Sequence, residues 1–229
     1  MSCTFIMYNV FMKRLYLLFT LQTLFLSIVV AGYTAKISSI TPRIEHRMRA
    51  GHSYRDGCPV KLRDLRYIRL NYLGFDGKPH TGEMVVHKDV AKEVTQIFGE
   101  LYRAKYPIRR MQLVSDYGGS DYRSIEADNT SAFNCRAVTG GKKWSNHAYG
   151  KAIDINPIEN PYISRSGHIA HRASLPYRIR RHKNPFHPED RALIAPHDPI
   201  VRIFKSRGWR WGGDWHSIKD YQHFDKNRH

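Results

Sequence analysis

The stretch SNHAYGKAID, residues 145–154, sets His147 and Asp154 seven positions apart around Gly150, just before an apolar run of strand type. Imidazole nitrogen and carboxylate oxygen are both zinc ligands, but one such pair is common in loops and decides nothing by itself. A second cluster near the C-terminus changes the balance. After the glycine-rich turn WGGDW, the sequence DYQHF places Asp220 three residues before His223. A catalytic zinc takes three protein ligands and keeps one position open for water; His147, Asp154 and His223 make such a set. In AIDIN, strand alternation turns Asp154 to one face and Ile153 and Ile155 to the other, into the core. Asp220 and His223 have an odd offset, so one regular strand cannot aim both at a single point. Asp220 is therefore expected in the turn entering a strand that carries His223.

The elements that must hold these groups are partly readable. LRYIRLNYLGF and GEMVVH, separated by turn residues, read as a hairpin. From Asp89 the period changes: Val90, Val94, Ile97, Phe98 and Leu101 fall at helical spacing, with Asp89 as N-cap and Pro107 beyond the end. MQLVSDY, residues 111–117, reads as a strand, and a long polar segment with two Gly-Gly turns follows it. PHDPIVRIFKSRGW contains a short helix ended by Gly208. Residues 156–190, rich in Pro, His and Arg and without apolar periodicity, read as a surface insertion whose His168, His171, His182 and His187 are loop residues rather than ligands. Trp211 and Trp215 are expected to pack.

Residues 1–31 carry Lys13 and Arg14 ahead of an apolar run from Leu15 to Ala31, the pattern of a secretory signal peptide cleaved after Ala31. An uncleaved membrane anchor is the alternative, because that run is close to the roughly 17 residues needed to span a bilayer. The expected organisation is a leader over 1–31, a basic and poorly regular segment over 32–64, and one domain over 65–229. The formal net charge is +17, to which the leader contributes only Lys13 and Arg14. Behind a signal peptide such a field suits an anionic cell-wall or membrane surface, and no nucleic-acid motif accompanies it, so no nucleic-acid partner is expected. Cys58 and Cys135 remain after the leader; export permits a disulfide between them, and sequence leaves the pairing open, as it leaves the oligomeric state.

The pattern S-x-H-x-x-G-x-A-x-D, carried by Ser145, His147, Gly150, Ala152 and Asp154 and followed by D-x-x-H at Asp220 and His223, resembles the zinc peptidases of bacterial cell walls. These are the D-alanyl-D-alanine carboxypeptidases and dipeptidases and the L-alanyl-D-glutamate endopeptidases of phage lysins, the last being nearest in the WGGDW and H-F context. The resemblance spans about residues 65–226. It implies an exported enzyme, periplasmic or extracellular, with one Zn2+ held by His147, Asp154 and His223, and with peptidoglycan stem peptides as substrate. Asp220 matches the general base. An oxyanion-stabilising arginine is implied upstream, where Arg136 and Arg123 both qualify. We favour Arg136, because Asn134 and its neighbours in DNTSAFNCR resemble a substrate-binding edge; Arg123 and Ser145 remain candidates for holding substrate. The fold implied is α+β, as in the hedgehog signalling domain: a small antiparallel sheet bearing zinc on one face, with helices packed on the other. A non-catalytic zinc-binding module on that fold is the main alternative, and Asp220 argues against it. A secreted nucleic-acid binder is the more distant one.

Overall fold

Strand β1 (Ala35–Ser39) and helix α1 (Pro42–Ala50) open the described chain, residues 32–227 of the computed structural model. The expected leader lies outside the described residues. The expectation of poor regularity over 32–64 is corrected by these two elements. Thr41 accepts from the Ile44 backbone N–H, and Pro42 takes a first-turn position where its missing N–H costs nothing. Ile44 and Met48, one turn apart, are buried. A helix with three arginines and so few apolar residues hides its periodicity.

Strands β2 (Leu65–Leu73) and β3 (Pro79–His87) form the expected hairpin, antiparallel from Leu65 opposite His87 to Leu73 opposite Pro79. β1 adds antiparallel to the free edge of β2, giving the order β1-β2-β3. Helix α2 (Lys88–Arg103) begins slightly earlier than predicted: its cap is His87, whose Nδ1 accepts from the Asp89 N–H, and Asp89 sits in the first turn as a favourable charge. Val90, Val94, Ile97, Phe98 and Leu101 are all buried, as their spacing requires.

The strand predicted at 111–117 shrinks to β4 (Arg110–Met111), followed by a 3-10 turn, Val114–Tyr117. Met111 and Leu113 would share one face of a strand, yet Met111 belongs to the core of the hairpin and α2 while Leu113 belongs to a second core around α1. The chain must therefore turn between them. The polar segment after it contains helix α3 (Asp121–Glu126) and strand β5 (Asn129–Thr130), which pairs in parallel with β4.

The remaining elements are short: β6 (Ala152–Asp154), β7 (Tyr162–Ile163), α4 (Pro188–Ala192), α5 (Pro199–Lys205), β8 (Arg210–Trp211), β9 (Lys219–Asp220) and β10 (His223–Asp225). They make an antiparallel sheet in the order β6-β10-β8 and a two-stranded pair, β7 with β9. The chain is thus a mixed helix and strand fold with several small sheets in place of the single sheet expected. Ile153, Ile155 and Phe224 point into the main core, where Phe224 stacks on Phe204 of α5 with ring centroids 4.0 Å apart. The smaller core joins Ile44 and Met48 to Leu65, Val85, Leu113 and Phe133. Both cores are drawn from within the compact unit Tyr33–His229. Cys58 and Cys135 form a disulfide across 77 residues, with Cα atoms 5.8 Å apart. Among the described residues, no helix is long and apolar enough to cross a membrane.

Candidate metal centre

His147 lies in a 3-10 turn, Asn146–Tyr149, whose cap Ser145 accepts the His147 N–H through its hydroxyl. The turn closes at Gly150, where φ is +67° and an added Cβ would stand 2.5 Å from the His87 nitrogen. Both facts demand glycine there. Asp154 ends β6 and faces His223 at the start of β10 in the sheet register. Backbone bonds from Ser131 N to Asp154 O and from Asp154 N to Ser131 O, 2.9 and 2.8 Å, fasten β6 to the strap 131–136 on its other side.

The three side chains converge. His147 Nε2 lies 3.1 Å from Asp154 Oδ2 and 3.2 Å from His223 Nδ1, and His223 Nδ1 lies 3.0 Å from Asp154 Oδ1. Ligands about 2.0–2.1 Å from a tetrahedral zinc are separated by about 3.3 Å, so the spacing fits a single ion of that size. The tautomers fit too. His147 Nδ1 is bonded to the Ala132 carbonyl, which only accepts, so Nδ1 carries the proton and Nε2 presents its lone pair. His223 turns Nδ1 to the cluster and Nε2 towards Asp225 Oδ2, 3.6 Å away. Asp225 is clamped by Arg210 at 2.9 and 2.8 Å and by Asn146 Nδ2 at 2.5 Å. A carboxylate behind a ligating imidazole orients the ring and raises its basicity. Sequence reading missed Asp225, although H-x-D on one strand turns both side chains to the same face.

The charges point the same way. Burial would raise the Asp154 carboxyl, but His147 and His223 outweigh it and hold the group well below the carboxylate range. Burial would lower His223; hydrogen bonds to Asp154 and Asp225 outweigh that and push it up to about 10. The site is built to hold positive charge between two imidazoles and an ionised carboxylate, and a divalent cation meets that demand while displacing the proton.

Asp220 sits on β9, which approaches the turn after β8 so closely that a Cβ on Gly212 would stand 2.4 Å from the Asp220 carbonyl oxygen. Its Oδ1 is buried with no hydrogen-bond partner. Burial, opposed by His223 and reinforced by the charge of Asp154, pushes its carboxyl up to about 6. Two cavities meet at this residue. One, of about 370 Å³, is lined by Ser145, His147, His223 and Trp215 among others. The other, about 250 Å³, is walled by Asp154, Gln222 and insertion residues including Ile169 and His171. Arg136, Thr139, Tyr162 and Asp220 line both.

The other predicted residues divide. Arg136 reaches the cavities but is paired with Asp121, and its Nη1 donates to the Ala137 carbonyl at 3.1 Å. Asn134 is buried and donates to the Gly119 carbonyl and to Asp121 Oδ1, at 3.0 and 2.7 Å, so it braces the ion pair rather than lining either cavity. Arg123, on α3, is exposed and lines neither cavity. Asp214, the carboxylate of the WGGDW turn, is exposed and paired with Lys205 at 2.6 Å. Trp211 packs in the core, whereas Trp215 lines the larger cavity with its ring 5.4 Å from that of His223. None of the insertion histidines joins the cluster; His171 bonds Glu126 and His182 bonds Asp198.

No curated protein and no solved structure matches the chain. Residues 139–226 match the family model described as D-alanyl-D-alanine carboxypeptidase. That span holds His147, Asp154, Asp220, His223 and Asp225, and it begins after Arg123, Asn134 and Arg136. The match supports a peptidase for the part of the chain that builds the centre.

Proposed function

We propose that the chain is an exported zinc peptidase that hydrolyses a peptide bond of the peptidoglycan stem peptide. One observation carries the reading: a buried carboxylate, Asp220, with an unpartnered oxygen beside a convergent His, Asp, His cluster. Zinc bound there supplies a water whose pKa falls towards about 7. Asp220 takes a proton from the attacking water and delivers it to the leaving amine nitrogen, so the same carboxyl serves as base and then acid. Arg136, poised at both cavities, donates to the carbonyl oxygen as negative charge grows on it, exchanging part of its pairing with Asp121. His147 and His223, fixed by Ala132 and Asp225, hold the geometry.

Two cavities that share Asp220 and Arg136 offer room for chain on more than one subsite, which favours an internal bond, as in L-alanyl-D-glutamate endopeptidases, over release of a terminal residue. The non-catalytic alternative keeps the three ligands but has no use for a buried, unpartnered Oδ1 on Asp220. Mass spectrometry of purified muropeptides after digestion by the zinc-loaded protein tests the reading. Cleavage between L-alanine and D-glutamate is the expected product pattern, and loss of terminal D-alanine would assign the carboxypeptidase form. Intact muropeptides with full zinc occupancy would return the chain to the binding-module class.

A further inference from the structure

The insertion carries a face that the metal centre does not use. Among the described residues, three of the six exposed large apolar side chains lie on the insertion: Leu175, 47% exposed, Ile179, 65%, and Phe186, 90%. From Asn160 to Pro188 there are five arginines and a lysine and no acidic residue. Arg172, Arg178 and Arg181 are exposed and, among the described residues, have no acidic partner.

Local geometry sorts these residues. Residues Arg172–Arg178 form a 3-10 helix, in which side chains three apart eclipse. Ser174 is buried, following His171, which is buried against Glu126. Arg172, Leu175 and Arg178 form an outer row, basic, apolar, basic, all exposed. In the extended stretch that follows, Arg180 turns inward while Ile179 and Arg181 turn out. The Arg180 guanidinium donates to the carbonyls of Glu159 at 2.6 Å, Tyr177 at 2.8 Å and Ile194 at 2.7 Å, and stacks over the Tyr221 ring at 4.4 Å. That staple holds the face in place. Its inner side, through His171 and Ser174, is the wall of the smaller cavity beside Asp220.

We propose that this face docks the domain on an anionic lipid surface. Guanidinium groups without internal partners match lipid phosphates, and Leu175 and Ile179 between them lose unfavourable hydration at the boundary between headgroups and acyl chains. A soluble polyanion would use the arginines and leave the apolar side chains in water. A second copy of this chain would have to bring matching arginines against one another. The lipid surface is the occupant that uses both chemistries, and it would hold the cleft against the membrane face through the wall they share. The inference does not depend on which bond is cut, or on the metal.

The test is co-sedimentation of the chain from Gly32 onward, which contains both cores and the disulfide, with phosphatidylcholine vesicles with and without phosphatidylglycerol. Two variants accompany it, Leu175→Asn with Ile179→Asn, and Arg178→Gln with Arg181→Gln, each checked for an unchanged melting temperature. Binding to the phosphatidylglycerol vesicles is expected, weakened roughly tenfold or more in each variant and by high salt. Absence of vesicle binding by the parent chain would overturn the proposal. So would undiminished binding by the asparagine variant, which would give the face to a soluble polyanion such as a wall polymer. A dimer of the parent chain that the asparagine variant abolishes without lipid would give it to a second copy.

Discussion

Asp220 and Asp225 flank His223 and do different work, which substitution can separate. Asp220 touches the cavities and its buried Oδ1 has no hydrogen-bond partner, so Asp220→Asn is expected to keep fold and zinc and to lose turnover by roughly a hundredfold or more. Asp214→Asn, which breaks only an exposed pair with Lys205, should leave turnover near normal. Stem-peptide hydrolysis with zinc content measured for each decides it, and a zinc-loaded Asp220 variant of normal turnover would remove Asp220 from the mechanism. Asp225 acts behind the ligand. Asp225→Asn should lower zinc affinity by about 10–100-fold in a chelator competition, because the His223 ring loses the carboxylate that orients it. Unchanged affinity would show the ring to be held by packing alone. The convergence of His147, Asp154 and His223 was legible because His and Asp stand around a glycine that a tight turn needs, with a second His downstream. Asp225 was not, because a carboxylate that binds an arginine and an asparagine looks in sequence like any strand-end charge.

At the scale of elements, legibility followed apolar density. The hairpin and α2 each carry several core residues at one period, and both appeared where the pattern put them. Helix α1 presents only Ile44 and Met48 inward among arginines, too few to display a period, though its Thr-Pro start is a proper cap. The stretch 111–117 was misread as a strand because its apolar residues divide between two cores, which a one-dimensional alternation cannot express. Met48→Ala tests whether the opening segment is part of the folded unit. Met48 is 1% exposed and packs in the second core, so its truncation should cost about 2–5 kcal/mol in urea unfolding, whereas a loosely attached segment would cost little.

For the whole molecule, stability should depend on pH through a buried pair of carboxyls, Asp128 and Glu159, of which Asp128 is the one paired with a cation, Arg109 at 3.7 Å. Burial and the neighbouring charge of Asp128 push Glu159 from 4.5 up to about 9. A group whose pKa is raised by folding favours the folded state fully below its ordinary value and loses that contribution as pH climbs to the raised one. The melting temperature should therefore fall across roughly pH 5 to 9, and Glu159→Gln, uncharged throughout, should flatten that part of the profile. Parallel profiles for the two proteins would show that Glu159 is ionised when folded. The disulfide acts over a comparable range of the chain. Cys135 is bound to Cys58, its N–H donates to Ser53 O at 2.9 Å and its carbonyl accepts from Arg55 at 2.8 Å, so the opening segment grips the strap whose Ala132 carbonyl sets the His147 tautomer. Zinc retention by the cluster is therefore expected to depend on thiol oxidation. A newly made chain in a reducing compartment would have the ligands without their buttress, and zinc retention should rise on oxidation. Chelator competition with and without reductant measures the difference, and equal affinities would mean that hydrogen bonds alone keep the strap in place.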